Sequence, residues 1–98
     1  MSQRLMSSAY MQAFGLDRHE LPDGTVIADL ARGKAHLLNP TAAAVFELCD
    51  GTRDAEEIAQ VLARLFHAAE PVEEEVEACL DKLCQLGLVE PVPRKTGP

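Results

Sequence analysis

Lys34-Ala35-His36-Leu37-Leu38-Asn39-Pro40-Thr41-Ala42-Ala43-Ala44-Val45-Phe46-Glu47-Leu48-Cys49-Asp50-Gly51-Thr52 is the stretch whose reading decides the fold. Lys34 to Leu38 is short, apolar-leaning and free of Gly and Pro, which suits a strand; a helix here would have to end at Asn39. A helix then starts at once. Asn39 accepts a hydrogen bond from an orphan N–H of the next turn, and Pro40 suits the first helical position, where its missing N–H costs nothing. Asp50-Gly51 stops that helix, so one short segment joins a strand to a core helix over Thr41 to Cys49.

Upstream, Leu21-Pro22-Asp23-Gly24 carries turn chemistry, and Thr25 to Leu30 reads as a strand. Its alternation sets Val26, Ala28 and Leu30 on one face and Thr25, Ile27 and Asp29 on the other. Ala31-Arg32-Gly33 returns the chain into Lys34, making a hairpin. A hairpin alone is marginal in water, and Tyr10 to Leu16 is the expected third strand.

Downstream, the helix from Pro40 buries Ala42, Val45, Phe46 and Cys49. Asp54-Ala55-Glu56-Glu57 reads as a capping box opening a second helix to His67, with the stripe Ile58, Val61, Leu62, Leu65 and Phe66. Ala68-Ala69-Glu70 joins it to a third, announced by Pro71 and by Glu73, Glu74 and Glu75, acids that favour the positive end of the helix dipole. Its stripe is Val72, Val76, Cys79, Leu80, Leu83 and Leu86, and Gly87 ends it. Leu88-Val89-Glu90 then adds a short extended piece. The fold class is therefore α+β, a small winged helix-turn-helix-like domain: an N-terminal two- or three-stranded antiparallel sheet, then three helices. Residues 1–9 and 91–98 are expected to be flexible ends around one domain over residues 10–90.

Ninety-eight residues support one core but not a core plus an elaborate cleft, which favours a binding module over an enzyme. The formal charge of −7, from 16 acidic against 9 basic residues, opposes binding to nucleic acid or anionic membranes and permits a basic peptide partner. The third helix sharpens this: Glu73, Glu74, Glu75, Glu77 and Asp81 against Lys82 would face phosphates in a major groove. Cys49, Cys79 and Cys84 lack metal or disulfide spacing and read as buried small hydrophobes. His19, His36 and His67 have no ligand spacing, and no nucleophile motif or phosphate loop appears, so neither catalysis nor a cofactor is expected. With no leader and no apolar run near the roughly 18 residues of a span, the chain reads as cytoplasmic.

Leu38-Asn39-Pro40-Thr41-Ala42-Ala43-Ala44, then Leu48-Cys49-Asp50-Gly51-Thr52-Arg53, Glu57-Ile58-Ala59 with Leu62, and Val76, Leu80, Leu83 and Gly87-Leu88-Val89 together resemble the PqqD-like family, over roughly Val26 to Glu90. The resemblance implies a non-catalytic peptide chaperone, a recognition element that holds the leader of a ribosomally made precursor as an added strand. It implies presentation of that leader to a modifying enzyme, often a radical SAM protein, as in pyrroloquinoline quinone biosynthesis. Where that pathway's own member has a Tyr-Pro-Glu-Gly type of turn, this chain has Leu30-Ala31-Arg32-Gly33, which leaves the pathway open. The expected peptide site is the edge of Lys34, Ala35, His36, Leu37 and Leu38 with Cys79, Lys82, Leu83 and Leu86 across a groove. Whether Ala35 and Leu37 or His36 and Leu38 line it depends on which face turns outward, and the leucines have a competing reading as core. The rival functions are a winged-helix DNA-binding or transcription-associated protein and an interaction module without a peptide client. An open edge also allows a homodimer.

Overall fold

The computed structural model describes residues 8–67 and 72–93. Two small antiparallel sheets enclose a helical core. Strands β1 (Ser8–Gln12) and β5 (Val89–Pro93) form one sheet; β2 (Leu16–Leu21), β3 (Gly24–Asp29) and β4 (Lys34–Leu38) form the other in the order β2-β3-β4. Helices α1 (Pro40–Glu47), α2 (Ala55–Leu65) and α3 (Glu73–Gln85) follow β4.

The expected strand-to-helix joint is present. The Asn39 side chain accepts from the Ala42 N–H at 2.8 Å, with Pro40 at the first helical position. Asp54 and Glu57 cap α2 reciprocally, at 2.9 and 3.0 Å. The core gathers Ile27, Leu38, Val45, Phe46, Cys49, Ile58, Leu62, Val76, Leu80, Leu83, Leu88 and Val89.

The N-terminal segment corrects the sequence reading. Tyr10 belongs to β1, which pairs with β5, and the third strand of the hairpin sheet is Leu16–Leu21. That strand gives no apolar alternation because Asp17, Arg18, His19 and Glu20 are all exposed at a sheet edge. The two-residue loop Pro22-Asp23 that was read as a turn is the link between β2 and β3. β3 turns Thr25, Ile27 and Asp29 inward, and Leu30 falls in the turn, 67% exposed. α1 stops at Glu47, and Ala42 is half-buried. α2 ends at Leu65, so Leu65 and Phe66 leave the apolar stripe and stand 58% and 51% exposed. Residues 68–71, read as the α2–α3 connection with Pro71 opening the helix, lie outside the described residues. So do most of the two ends read as flexible. The described parts of those ends, Ser8, Ala9 and residues 91–93, belong to β1 and β5.

Candidate functional site: an unprotected sheet edge beside α3

Among the described residues four strands lie at sheet edges, and three of them are blocked. In β1, the Tyr10 N–H, the Tyr10 carbonyl and the Gln12 N–H all bond toward the 49–53 loop. Ala9 and Met11 are therefore the residues that bond to β5, and their partners there are Val92 and Glu90. The intervening Pro91 and Pro93 thus turn their N atoms to the outer side, where an incoming strand would find no donor. β2 is blocked differently. Arg18 stands on the sheet's inner face, opposite Ile27, and is ion-paired to Glu47 of α1 and to Glu20. An inward-pointing charge on an edge strand is a barrier to further pairing.

β4 has neither device. The two-residue loop closes on the pair Leu21–Gly24, which sets Gly24, Val26 and Ala28 to bond β2 and Thr25, Ile27 and Asp29 to bond β4. Their β4 partners are Leu38, His36 and Lys34. The Leu38 carbonyl leans so close to Gly24 that a Cβ there would collide with it, as expected of a residue facing β3. Ala35 and Leu37 therefore direct their N–H and C=O groups away from the sheet. Among the described residues, none of the β4 peptide groups bonds outside the β3 ladder.

α3 runs alongside this edge. At one end Arg32, in the turn before β4, lies over Gly87, just past α3. At the other, Thr41, three residues beyond Leu38, shares a pocket with Val72, Glu75 and Val76 at the start of α3. Between these two points the strand and the helix run in opposite directions. Their lengths are comparable: the five residues of β4 cover about 16 Å, and the 13 residues of α3 about 20 Å.

The expected site residues divide within this frame. His36 and Leu38 face inward, His36 half-buried and Leu38 5% exposed. Ala35 and Leu37 face outward, and Leu37 is 64% exposed beside Val26. Leu83, at 1%, is core. Cys79 and Leu86 are half-buried and Lys82 is exposed. On α3 these three lie on the flank opposite Glu77, Asp81 and Cys84, the α3 groups whose charge, after burial, raises the Tyr10 pKa. The sequence did not single out Val26 and His19, which complete a cross-strand row with Leu37. Nor did it single out the pocket, of ≈ 190 Å³, lined by Thr41, Val45, Leu62, Phe66, Val72, Glu75 and Val76. The one signal for it was the apolar pair Leu62 and Phe66, spaced i, i+4 and read as core stripe.

Burial pushes the Cys49 thiol up to about 12 and raises Cys79 and Cys84 as well, so none is poised as a thiolate nucleophile. Among the described residues no group of three or more His, Cys, Asp or Glu side chains is placed to hold a metal ion, and no helix is long and apolar enough to cross a membrane.

A small α+β domain that, among its described residues, leaves one sheet edge unprotected is the class of protein that fold and site define. The chain belongs to the PqqD family: the family described as Coenzyme PQQ synthesis protein D (PqqD) matches it over residues 24–89. A solved structure described as lasso peptide synthetase B1 complexed with the leader peptide shares the fold, with a TM-score of 0.68 at 24% identity, covering 86% of this chain and 100% of that one. No curated protein matches the chain.

Proposed function

We propose that this protein is a non-catalytic adaptor that captures the leader of a ribosomally made precursor peptide as an added strand on β4 and presents it to a modifying enzyme. The observation that carries the reading is the edge itself: Ala35 and Leu37 offer two N–H and two C=O groups, while β2 and β5 are closed to pairing. Membership of the PqqD family supports it, and so does the likeness in fold to a protein whose structure is described as holding a leader peptide. The enzyme partner we infer is of the radical SAM type, in a pyrroloquinoline quinone-like or related pathway. The acidic first turn of α3 speaks against the DNA-binding alternative, because Glu73, Glu74 and Glu75 would meet phosphates.

Magnitudes agree with a peptide client. Four backbone hydrogen bonds at about 0.5 to 1.5 kcal/mol net each contribute about 2 to 6 kcal/mol. Ordering a flexible peptide costs about 2 to 5 kcal/mol. Backbone pairing therefore nearly cancels, and affinity comes from side chains. A guest's outward residues extend the row His19, Val26, Leu37, and its inward ones lie beside Cys79 and Leu86. Burying two Leu-sized side chains adds about 3 to 6 kcal/mol, which gives micromolar binding or somewhat tighter.

The test is calorimetric titration of the protein with the leader encoded by a precursor reading frame beside its own gene. Saturable binding at micromolar concentration, lost in Leu37→Pro while the far-ultraviolet circular dichroism is kept, is the expected result. Unchanged binding by Leu37→Pro overturns the strand site.

A further inference from the structure

The pocket between the helices is not part of the strand edge, yet it lies directly beyond it. Every strand pair in this protein is antiparallel, and antiparallel pairing is the more stable form, so a guest on β4 runs antiparallel to it. The guest's N-terminal end then lies at Leu38. From Leu38 the chain reaches Thr41, on the pocket wall, within about 11 Å. Two or three guest residues beyond the paired stretch span that distance.

The lining states what fits. Val45, Leu62, Phe66, Val72 and Val76 make the wall apolar, and ≈ 190 Å³ is room for one large side chain. Thr41 and Glu75 are its polar members, and both are exposed. Among the described residues Glu75 takes part in no ion pair: the arginines that do, Arg18, Arg32 and Arg53, pair with Glu20, Glu47, Asp29 and Asp50. Glu73 and Glu74 precede it in the same turn, with no basic residue in that turn to offset them. The wall thus calls for an apolar anchor, and its margin for positive charge.

We propose that this pocket is a second contact site for the client, taking one large apolar side chain from the segment N-terminal to the paired strand, with a neighbouring Lys or Arg answered by Glu75. The inference rests on the strand-addition reading and adds a sequence requirement to it. A client of this protein carries an aromatic residue or Leu next to a basic residue, upstream of the stretch that pairs with β4. Backbone pairing tolerates almost any sequence; the pocket and Glu75 make the choice.

The experiment selects a displayed library of random 14-residue peptides on the full chain, then titrates the synthesised consensus peptide against three variants. The expected consensus places an aromatic residue or Leu beside Lys or Arg on the N-terminal side. Thr41→Trp, which plugs the pocket from its exposed rim, weakens binding at least about tenfold by excluding that side chain. Glu75→Lys weakens it about fivefold, the upper range for an exposed ion pair, and exchanging the peptide's basic residue for Glu restores it. If Thr41→Trp and Glu75→Lys bind as the parent does while Leu37→Pro loses the peptide, the pocket inference is wrong and the strand site stands. If Leu37→Pro binds normally, strand addition fails, and this inference with it.

Discussion

Arg32 lies over Gly87: the guanidinium of the β3–β4 turn occupies the space that a Cβ at the end of α3 would need, with its Cζ 3.2 Å from that position. Gly87 has φ +78°, in the left-handed region that closes helices. Its N–H bonds to the Cys84 carbonyl and the Leu88 N–H to that of Leu83. The start of β4 thus lies close to the end of α3, at one end of the groove.

Replacing Gly87 by Ala is expected to destabilise the fold by about 1–2 kcal/mol, the cost of a left-handed φ for a residue with Cβ. The exposed Arg32 side chain can swing away, so an additional Arg32→Ala change should not recover that loss. Urea unfolding of the single and double variants checks both statements. Full recovery in the double variant would place the cost in the collision instead.

Proline at neighbouring positions of β4 should have opposite effects. The Leu37 N–H points off the sheet, so Leu37→Pro removes a donor that only a guest would use. The His36 N–H points at β3 opposite Ile27, so His36→Pro breaks the ladder. Thermal melting should show a small change for the first and a loss of several degrees or more for the second. Equal loss in both would mean that the inferred bonding phase of β4 is wrong.

Exchanging Arg18 for Val removes the inward charge from β2 and its ion pairs with Glu47 and Glu20. Because these pairs are exposed, monomer stability should change by less than about 1 kcal/mol. The strand edge, however, becomes open to a second chain. Light scattering should find concentration-dependent association in Arg18→Val and none in Arg18→Lys.

Asp50 predicts an acid-sensitive contribution. Hydrogen bonds from the Thr52 hydroxyl and N–H, 2.6 and 3.0 Å, with Arg53 close by, hold its carboxyl below the usual carboxylate range. A group whose folded pKa is depressed contributes stability that is present above its unfolded value, about 3.9, and is lost as pH falls through the folded value. Asp50→Asn should therefore be the less stable protein near pH 7, and its deficit should close below about pH 4. A deficit independent of pH would assign the loss to the turn geometry rather than to the charge.

The sequence alone determined the joint at Asn39-Pro40, the capping box at Asp54, the stop at Gly87 and the apolar stripe of α3, because capping chemistry and helical period act over three or four neighbouring residues. It also named β4 as the strand to watch. Local signals could not show the partner of β1, because β5 lies some eighty residues away and its pairing is a matter of chain return. They could not show β2 at all, since an edge strand that must repel further strands is built from charges and loses the alternation that marks a strand. Tertiary structure decided which face of β4 is buried, because a period of two leaves both faces equivalent until Ile27 and Leu38 meet the helices. It likewise separated Leu83, 1% exposed in the core, from the half-buried Leu86 one turn later. The pocket beside Glu75 exists only where the ends of α1, α2 and α3 converge, and no single segment of the chain encodes that meeting.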